Sequence, residues 1–317
     1  MKTAPGTFSR RMTDPFQSRL TAPQGPVSDS SKPLKAMTVP INSWFGVYEW
    51  EKLSRACHKG ELTIDLSNVE FAYPPGIVAL SLVVNYRGRN GKPTELTVPE
   101  DKDVLSYLNR IDFFESLPRE VRIYEDLSQL HDHARNPSIE FTEVLVLEEE
   151  GIEDAVEVVK EFLRRHVEKW ANPFSVFEEA LTNARDHSRA SESDRSESSE
   201  LKFGALHVQV YEDQLELAVG DIGDGIRGSL NTCPSHNFGR SVDAIRATLE
   251  RGASRFPGVP ERGGGLKRAK NVVEKMGGEL DLRSYKGVGH LSDGQLDYER
   301  HRADFPGTLI RFELPSR

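Results

Sequence analysis

The residue with the clearest chemical potential in this chain is Asp221, a carboxylate at the end of an apolar strand pattern. Odd positions before it share one strand face with the acid, and these are Leu215, Leu217 and Val219. That face should be buried, and a buried carboxylate without a partner is unfavourable by several kcal/mol. Glycines at 223 and 225 would let a planar ligand approach closely. An exocyclic amine, such as that of adenine, would then donate a hydrogen bond to the carboxylate.

A predicted helix at 174–187 carries a second set of polar residues on one face. Glu179, Asn183 and Asp186 are four and then three residues apart, which places them on the same side of a helix. The opposite side carries the residues that would pack, which are Phe177, Leu181 and Ala184. A solvated outer face would show the same pattern, so this helix alone does not identify a site.

Two further segments could contribute to the same site. Three glycines at 263–265 precede Leu266 at the start of a predicted helix, where free N–H groups and the positive end of the helix dipole favour phosphate. Flexible loops contain such runs of glycine as well. Near the end of the chain, Thr308 alternates with three apolar residues, so its hydroxyl lies on the core side of a strand, as the Asp221 carboxylate does.

Taken in order, these segments resemble the four nucleotide-binding boxes of the GHKL ATPases. That superfamily includes DNA gyrase B, MutL, heat-shock chaperones, sensor histidine kinases and anti-sigma serine kinases. The matching stretches are Glu179-x3-Asn183-x2-Asp186-His187 (N box), Asp221-x-Gly223-x-Gly225-Ile226 (G1), Gly263-x-Gly265-Leu266 (G2) and Gly307-Thr308 (G3). Each box is weak alone, whereas four in the family's order with family-like spacing form a specific signal. The resemblance covers about residues 150–317.

The resemblance implies that the ligands are ATP and Mg²⁺. Asn183 would coordinate Mg²⁺ between the phosphates, and Asp186 would be a further ATP contact in the same box. His187 would touch phosphate or cap the helix. Asp221 would accept a hydrogen bond from the adenine amine, and Thr308 would assist at the adenine side.

The remaining boxes would shape the walls of the nucleotide pocket. The residues concerned are Gly223, Gly225 and Ile226 at the base and ribose, and Gly263, Gly265 and Leu266 at the phosphates. The Arg-rich segment at 227–262 would form the ATP lid. An ordinary surface excursion would have the same composition.

Glu179 decides the chemistry that the resemblance implies. GHKL ATPases place at this position the base that activates water or, in the kinase branch, a protein hydroxyl, whereas sensor histidine kinases usually lack an acid there. The stretch at 179–187 is most similar to the anti-sigma serine-kinase branch. The leading function is Mg²⁺-dependent ATP binding with slow hydrolysis, used as a switch on a protein partner. The alternatives are a serine/threonine protein kinase of anti-sigma type and a non-catalytic nucleotide-binding scaffold.

The first part of the chain is more weakly similar to the STAS domains of anti-sigma antagonists. The similarity lies in residues 62–71 (LTIDLSNVEF) and 75–80 (PGIVAL). That family carries a phosphorylatable Ser in the intervening turn, but here the turn is Ala72-Tyr73-Pro74-Pro75. A regulatory phosphoserine is therefore not expected at this turn, and a generic α/β module is the alternative.

Hydrophobic periodicity predicts the elements that must position these residues. In the first part, strands at 62–66, 94–98 and 121–124 alternate with helices at 50–58, 76–86 and 101–114. In the second part, helices at 152–170, 174–187 and 265–276 accompany strands at 206–210, 215–221, 279–285 and 308–314. The expected fold is α/β, with a STAS-like module at 41–135 and a GHKL-type (Bergerat) two-layer α/β sandwich at 138–317.

The composition of the chain excludes some classes of protein. The 317 residues carry 41 Lys+Arg and 50 Asp+Glu, and the net charge of −9 argues against a general nucleic-acid binder. Residues 1–40 contain six prolines and predict a disordered arm. Two distant cysteines without a CxxC pattern favour a reducing cytosol, and no apolar run reaches the roughly 20 residues of a membrane helix. We expect a cytoplasmic protein with a regulatory protein partner. The resemblance allows a homodimer, since many relatives dimerise.

Overall fold

The computed structural model describes residues 37–125, 127, 145–147, 152–188, 204–256 and 264–316, all within a unit that spans residues 35–317. The expected arm up to residue 36, the Ser/Glu-rich tract beyond Ser188 and Gly263 lie outside the described residues. The described elements include a parallel sheet and an antiparallel sheet with helices, so the prediction of an α/β fold is confirmed. The division into domains at 41–135 and 138–317 stays a prediction.

Parallel strands form the sheet of the first part. The elements in chain order are β1 (Met37–Pro40), β2 (Trp44–Phe45), α1 (Trp50–Cys57), β3 (Leu62–Asp65), β4 (Phe71–Ala72), α2 (Pro74–Arg89), β5 (Thr94–Thr97), α3 (Lys102–Arg110), α4 (Phe113–Ser116) and β6 (Val121–Ile123). Four strands pair in the order β1-β3-β5-β6, and β2 and β4 form a separate parallel pair. The predicted helices and strands of this part are present, most of them shifted by a few residues at their ends.

Two details of the first part differ from the sequence prediction. Residues 37–40 were expected to belong to the disordered arm but form β1, which pairs with β3. Only Val39 of this edge strand is buried, and the strand ends at Pro40, a residue that disfavours strand prediction because it cannot donate to a sheet. The helix expected over 101–114 is divided into α3 and α4, because Asp112 adopts a left-handed backbone with φ 55°.

The second part is built on an antiparallel sheet. Its elements are β7 (Leu145–Leu147), α5 (Ile152–His166), α6 (Ala171–Ser188), β8 (Gly204–Val210), β9 (Gln214–Asp221), α7 (Gly225–Asn231), α8 (Ser241–Arg246), α9 (Gly265–Met276), β10 (Glu279–Ser292) and β11 (Gln295–Pro315). The strands follow the order β10-β11-β9-β8-β7. The last two strands are much longer than predicted, because Asp293 and Gly294 close a hairpin with φ 51° and 71°.

Helices cover both faces of the antiparallel sheet. On one face, the odd residues of β9 pack with α5, α6 and α9 in a shared apolar core. On the other face, Ala218 and Ile222 join a core that contains Leu82 of α2. Helix α2 thus lies between the two sheets, which explains why it is apolar on all sides rather than amphipathic. Its two N-terminal prolines occupy the first turn, where they leave no hydrogen bond unmade.

None of the helices in the described part of the chain combines the length and the apolar character that crossing a bilayer requires.

Candidate functional site

Helix α6 presents two of its three predicted polar residues at one edge of a cleft. The Asn183 side-chain nitrogen donates to the Glu179 backbone carbonyl at 2.8 Å and to its carboxylate at 2.9 Å. Both side chains are half-buried, so the predicted shared face of the helix is confirmed for this pair. Asp186 and His187 lie on the same helix, but their side chains are outside the described residues.

Three polar residues form a row across the sheet, facing α6. The register pairs Asp221 of β9 with Thr308 of β11, and Thr308 with Ser284 of β10. All three are buried, with exposures of 2%, 4% and 0% respectively. The predicted positions of Asp221 and Thr308 on the core side are therefore confirmed. A polar row in an otherwise apolar sheet face needs partners, because burying an unpaired polar group is costly.

Two atoms of that row lack such partners. Asp221 Oδ1 and Thr308 Oγ1 are fully buried, and neither has a hydrogen-bond partner among the described residues. Burial raises the pKa of the Asp221 carboxyl well above its ordinary value, and the neighbouring Thr308 opposes that rise only in part. A hydrogen-bond donor from a ligand would satisfy both the carboxyl and the hydroxyl.

Ser284 is a site residue that sequence reasoning missed. Its hydroxyl accepts the Ile226 N–H at 2.9 Å and so fixes the turn after β9. Gly225 in that turn has φ 65°, and a Cβ there would lie 2.5 Å from the Ser284 hydroxyl oxygen. The turn is therefore shaped by both residues. The available signal was the end of the Leu280-x-Leu282-x-Ser284 alternation in a polar residue, as in β9.

We expect Ser284→Ala to loosen this turn. The substitution leaves the buried Ile226 N–H without its acceptor, which should lower the free energy of unfolding by about 1–3 kcal/mol. Denaturant unfolding measures the loss. Ser175→Ala removes an exposed hydroxyl that bonds only a local carbonyl, and it should change stability by less than about 0.5 kcal/mol. Equal effects of the two variants would contradict the role of Ser284.

The start of α9 forms the opposite edge of the cleft. Gly264 precedes the helix with φ 73°, and no side chain caps its first turn. Gly265 touches Glu179, because a Cβ at this glycine would lie 1.4 Å from the Glu179 Oε1. One turn further, the Arg268 guanidinium contacts the Glu179 carboxylate at 3.2 Å. Glu179 is thus held between α6 and α9.

Gly265→Ala should displace Glu179 without unfolding the protein. The carboxylate is the far end of a flexible side chain, so the added methyl group moves it, and alanine is a better helix former than glycine. Any reaction that needs Glu179 in place should slow by about tenfold or more, whereas the melting temperature should hold or rise. The matched control is Gly60→Ala, which lies far from the cleft in sequence and where nothing lies within 4 Å of a Cβ. An unchanged rate in Gly265→Ala would show that the position of Glu179 is unimportant.

The cleft between these edges is lined by five of the twelve predicted site residues, which are Asn183, Asp221, Ile226, Leu266 and Thr308. Its lining residues are Ala180, Asn183, Ala184, Val219, Gly220, Asp221, Ile226, Leu266, Thr308 and Ile310. It has about 240 Å³ of empty space, part of it open to solvent, but in this conformation the side chains leave room for only about one water molecule. A planar ligand can enter only if the turns at 222–226 and 264–266 move apart.

The segment expected to close over this cleft is helical over about half of its described residues. It comprises most of α7, then α8 and a π-helical turn at Ala247–Arg251, and residues 257–262 lie outside the described residues. Ile245 and Leu249 of this segment pack against Gly287 and Gly289 of β10. Its role as a lid stays a prediction.

Comparisons with known proteins do not identify the site. No protein-family model matches the chain, and a search of curated proteins finds no match. Any assignment therefore depends on the geometry of the cleft and on the motifs in the sequence.

Proposed function

We propose that this chain binds ATP with Mg²⁺ in the cleft between α6, α9 and the antiparallel sheet, hydrolyses it slowly, and uses the bound nucleotide as a switch on a protein partner. The observation that carries the proposal is the unpartnered, buried Asp221 Oδ1 beside the unpartnered Thr308 hydroxyl. An adenine amine would donate to the carboxylate, and the Thr308 hydroxyl would donate to a ring nitrogen directly or through water.

The donor set of the cleft fits a magnesium-bound triphosphate. The Asn183 nitrogen is taken up by Glu179, so the amide oxygen remains for a cation, and Mg²⁺ prefers oxygen ligands. The uncapped N-terminus of α9 offers backbone N–H groups and a positive dipole end to phosphate. Bound Mg²⁺ would neutralise phosphate charge, and Asn183 would hold it.

Glu179 is the proposed proton acceptor for the attacking nucleophile. Its carboxylate accepts from Asn183 at 2.9 Å and pairs with Arg268, so it lies next to the proposed cation ligand. Phosphoryl transfer needs alignment, charge neutralisation and one acceptor for the nucleophile's proton.

The resemblance to GHKL ATPases supports the same reading, with the STAS-like module as the neighbouring part. Helix α2 of that module packs on the rear of β9, the strand that ends at Asp221. A shift of β9 at Asp221 on nucleotide binding would displace α2, which packs on that strand. This contact would couple the bound nucleotide to the surface that a protein partner contacts.

The fate of the γ-phosphate tests the proposal. The full chain is incubated with Mg²⁺ and γ-labelled ATP, and the label is followed as free phosphate or as protein-bound phosphate. Slow release of free phosphate is expected. Label on a serine or threonine of a protein favours the anti-sigma-type protein kinase, and binding without any turnover favours the non-catalytic scaffold. Absence of nucleotide binding contradicts all three.

A further inference from the structure

A cluster of aromatic rings lies on the surface where the two parts of the chain meet. Trp44 of β2 and Phe71 of β4 are paired in register, and both are exposed, by 62% and 39%. Tyr73 stacks on Trp44 with 6.1 Å between ring centroids and lies 4.5 Å from Phe71. Tyr211, in the turn between β8 and β9, lies 6.4 Å from Tyr73. We call these four residues the aromatic surface.

Exposed rings in contact with one another are unusual on a surface. Large apolar side chains on a soluble surface are normally scattered singly, whereas contiguous exposed patches mark interaction sites. The described chain exposes six large apolar side chains, and two of them, Trp44 and Phe71, lie together here. Faces of Trp and Tyr rings carry negative charge density and attract cations.

The charged residues next to these rings in the sequence are acidic. Glu70 precedes Phe71, and Glu212 and Asp213 follow Tyr211, and all three carboxylates are exposed. The segments that carry the rings, at 41–49, 69–74 and 209–216, contain no Lys or Arg. The rim therefore presents negative charge with no cation from these segments to neutralise it.

A partly buried ionic cluster lies close enough to Tyr73 to act on it electrostatically, and it adds to this negative charge. The Arg311 guanidinium contacts Glu216 at 2.6 Å and Asp281 and Glu279 at 3.0 Å each, and it also contacts Glu313. Burial raises the pKa of Glu216 to about 7, so this carboxyl is partly protonated near neutral pH. Even with Glu216 protonated, the other three outnumber the single guanidinium. Acids thus lie both next to the rings and in this cluster.

We propose that the aromatic surface binds an arginine-containing segment of a partner protein. Arginine fits the aromatic surface better than lysine does. Its planar guanidinium can stack on an aromatic ring and at the same time donate two hydrogen bonds to a carboxylate. Trp44 and Tyr73 supply the stacking faces, and Glu212 and Asp213 supply the carboxylates. The inference is independent of nucleotide binding, because it uses no residue of the cleft.

A fluorescent peptide with three arginines separated by Gly-Ser pairs tests the proposal by anisotropy with the full chain. Matched peptides carry lysine or glutamate in place of arginine. We expect saturable binding of the arginine peptide, weaker binding of the lysine peptide and none of the glutamate peptide. Trp44→Ala should weaken binding about fivefold or more, and Glu212→Gln with Asp213→Asn should weaken it and reduce its salt dependence.

The control variant is Val158→Ser, which removes another exposed apolar side chain on α5 and should leave peptide affinity unchanged. Equal affinity of wild type and Trp44→Ala, equal affinity for the glutamate peptide, or no binding at all would overturn the proposal. Analytical sedimentation of the chain without peptide tests whether a second copy of this chain, rather than a partner protein, occupies the surface. Dimerisation that Trp44→Ala abolishes would assign the surface to another copy of this chain instead, and would also overturn it.

Discussion

Asp221→Asn is expected to lower the affinity for ATP by about 100-fold or more. The buried carboxylate accepts the adenine amine in our proposal, and an amide presents a donor at one of its two positions. A mismatch between donor and acceptor in a buried site lowers affinity strongly, because it leaves polar groups of both ligand and protein without hydrogen bonds. Calorimetric titration with Mg²⁺ and ATP measures the loss directly.

The same variant should be more stable than wild type when no nucleotide is present. The folded-state pKa of Asp221 lies well above the ordinary value of 3.8, because burial disfavours the charged form. The resulting stabilisation is therefore present below about pH 4 and is lost as the pH rises through the folded-state pKa. A neutral Asn avoids that loss. We expect a higher melting temperature at pH 7, and a difference from wild type that shrinks towards pH 4.

Asp224→Asn is the matched control for both measurements. Asp224 belongs to the same turn but is exposed, and its charge is the smallest of the causes that act on the pKa of Asp221, so its substitution should alter ATP affinity and stability far less than Asp221→Asn does. Loss of binding together with a gain in stability cannot come from misfolding. If Asp221→Asn binds ATP as wild type does, the base-binding role of this acid is wrong.

Glu179→Gln is expected to keep ATP binding within about threefold of wild type and to slow turnover by about 100-fold or more. Glutamine retains the shape of the side chain and an acceptor oxygen for Asn183, but it cannot take a proton from water. Its loss of charge also releases Arg268, which pairs with the carboxylate. Single-turnover measurement of phosphate release separates this chemical effect from product release.

Glu178→Gln is the control, since Glu178 is the exposed neighbour on the same helix. Its turnover should equal that of wild type. Normal turnover in Glu179→Gln would remove the proposed base, and loss of binding in the same variant would give Glu179 a role in holding the ligand instead.

The sequence predicted the parts of the site that depend on local periodicity. Alternation along β9 placed Asp221 on the core side, and the 3.6-residue period placed Glu179 beside Asn183. The three glycines at 263–265 marked the start of α9, and the predicted end at 276 is confirmed, where Gly277 closes the helix with φ 71°. These features are set within one element, so one sequence is sufficient to find them.

Features set by contacts between distant elements could not be predicted in this way. Ser284 joins the site because β10 and β11 pair in one particular register, 24 residues apart at that point. The Asp293-Gly294 turn is a recognisable hairpin signal, but two register shifts between Ser284 and Gly287 separate it from the Ser284–Thr308 pair, so the turn alone does not predict that pair. Arg87 and Arg311 are buried by partners far along the chain, and an isolated arginine in a sequence predicts an exposed side chain.

Calorimetric titration of the wild-type chain with ATP and with GTP, both with Mg²⁺, tests the central claim most directly. Adenine presents an amine where guanine presents a carbonyl oxygen, and only the amine can donate to the Asp221 carboxylate. We predict saturable binding of ATP at one site per chain and much weaker binding of GTP. Equal affinity for the two nucleotides, or no binding of either, would contradict the account.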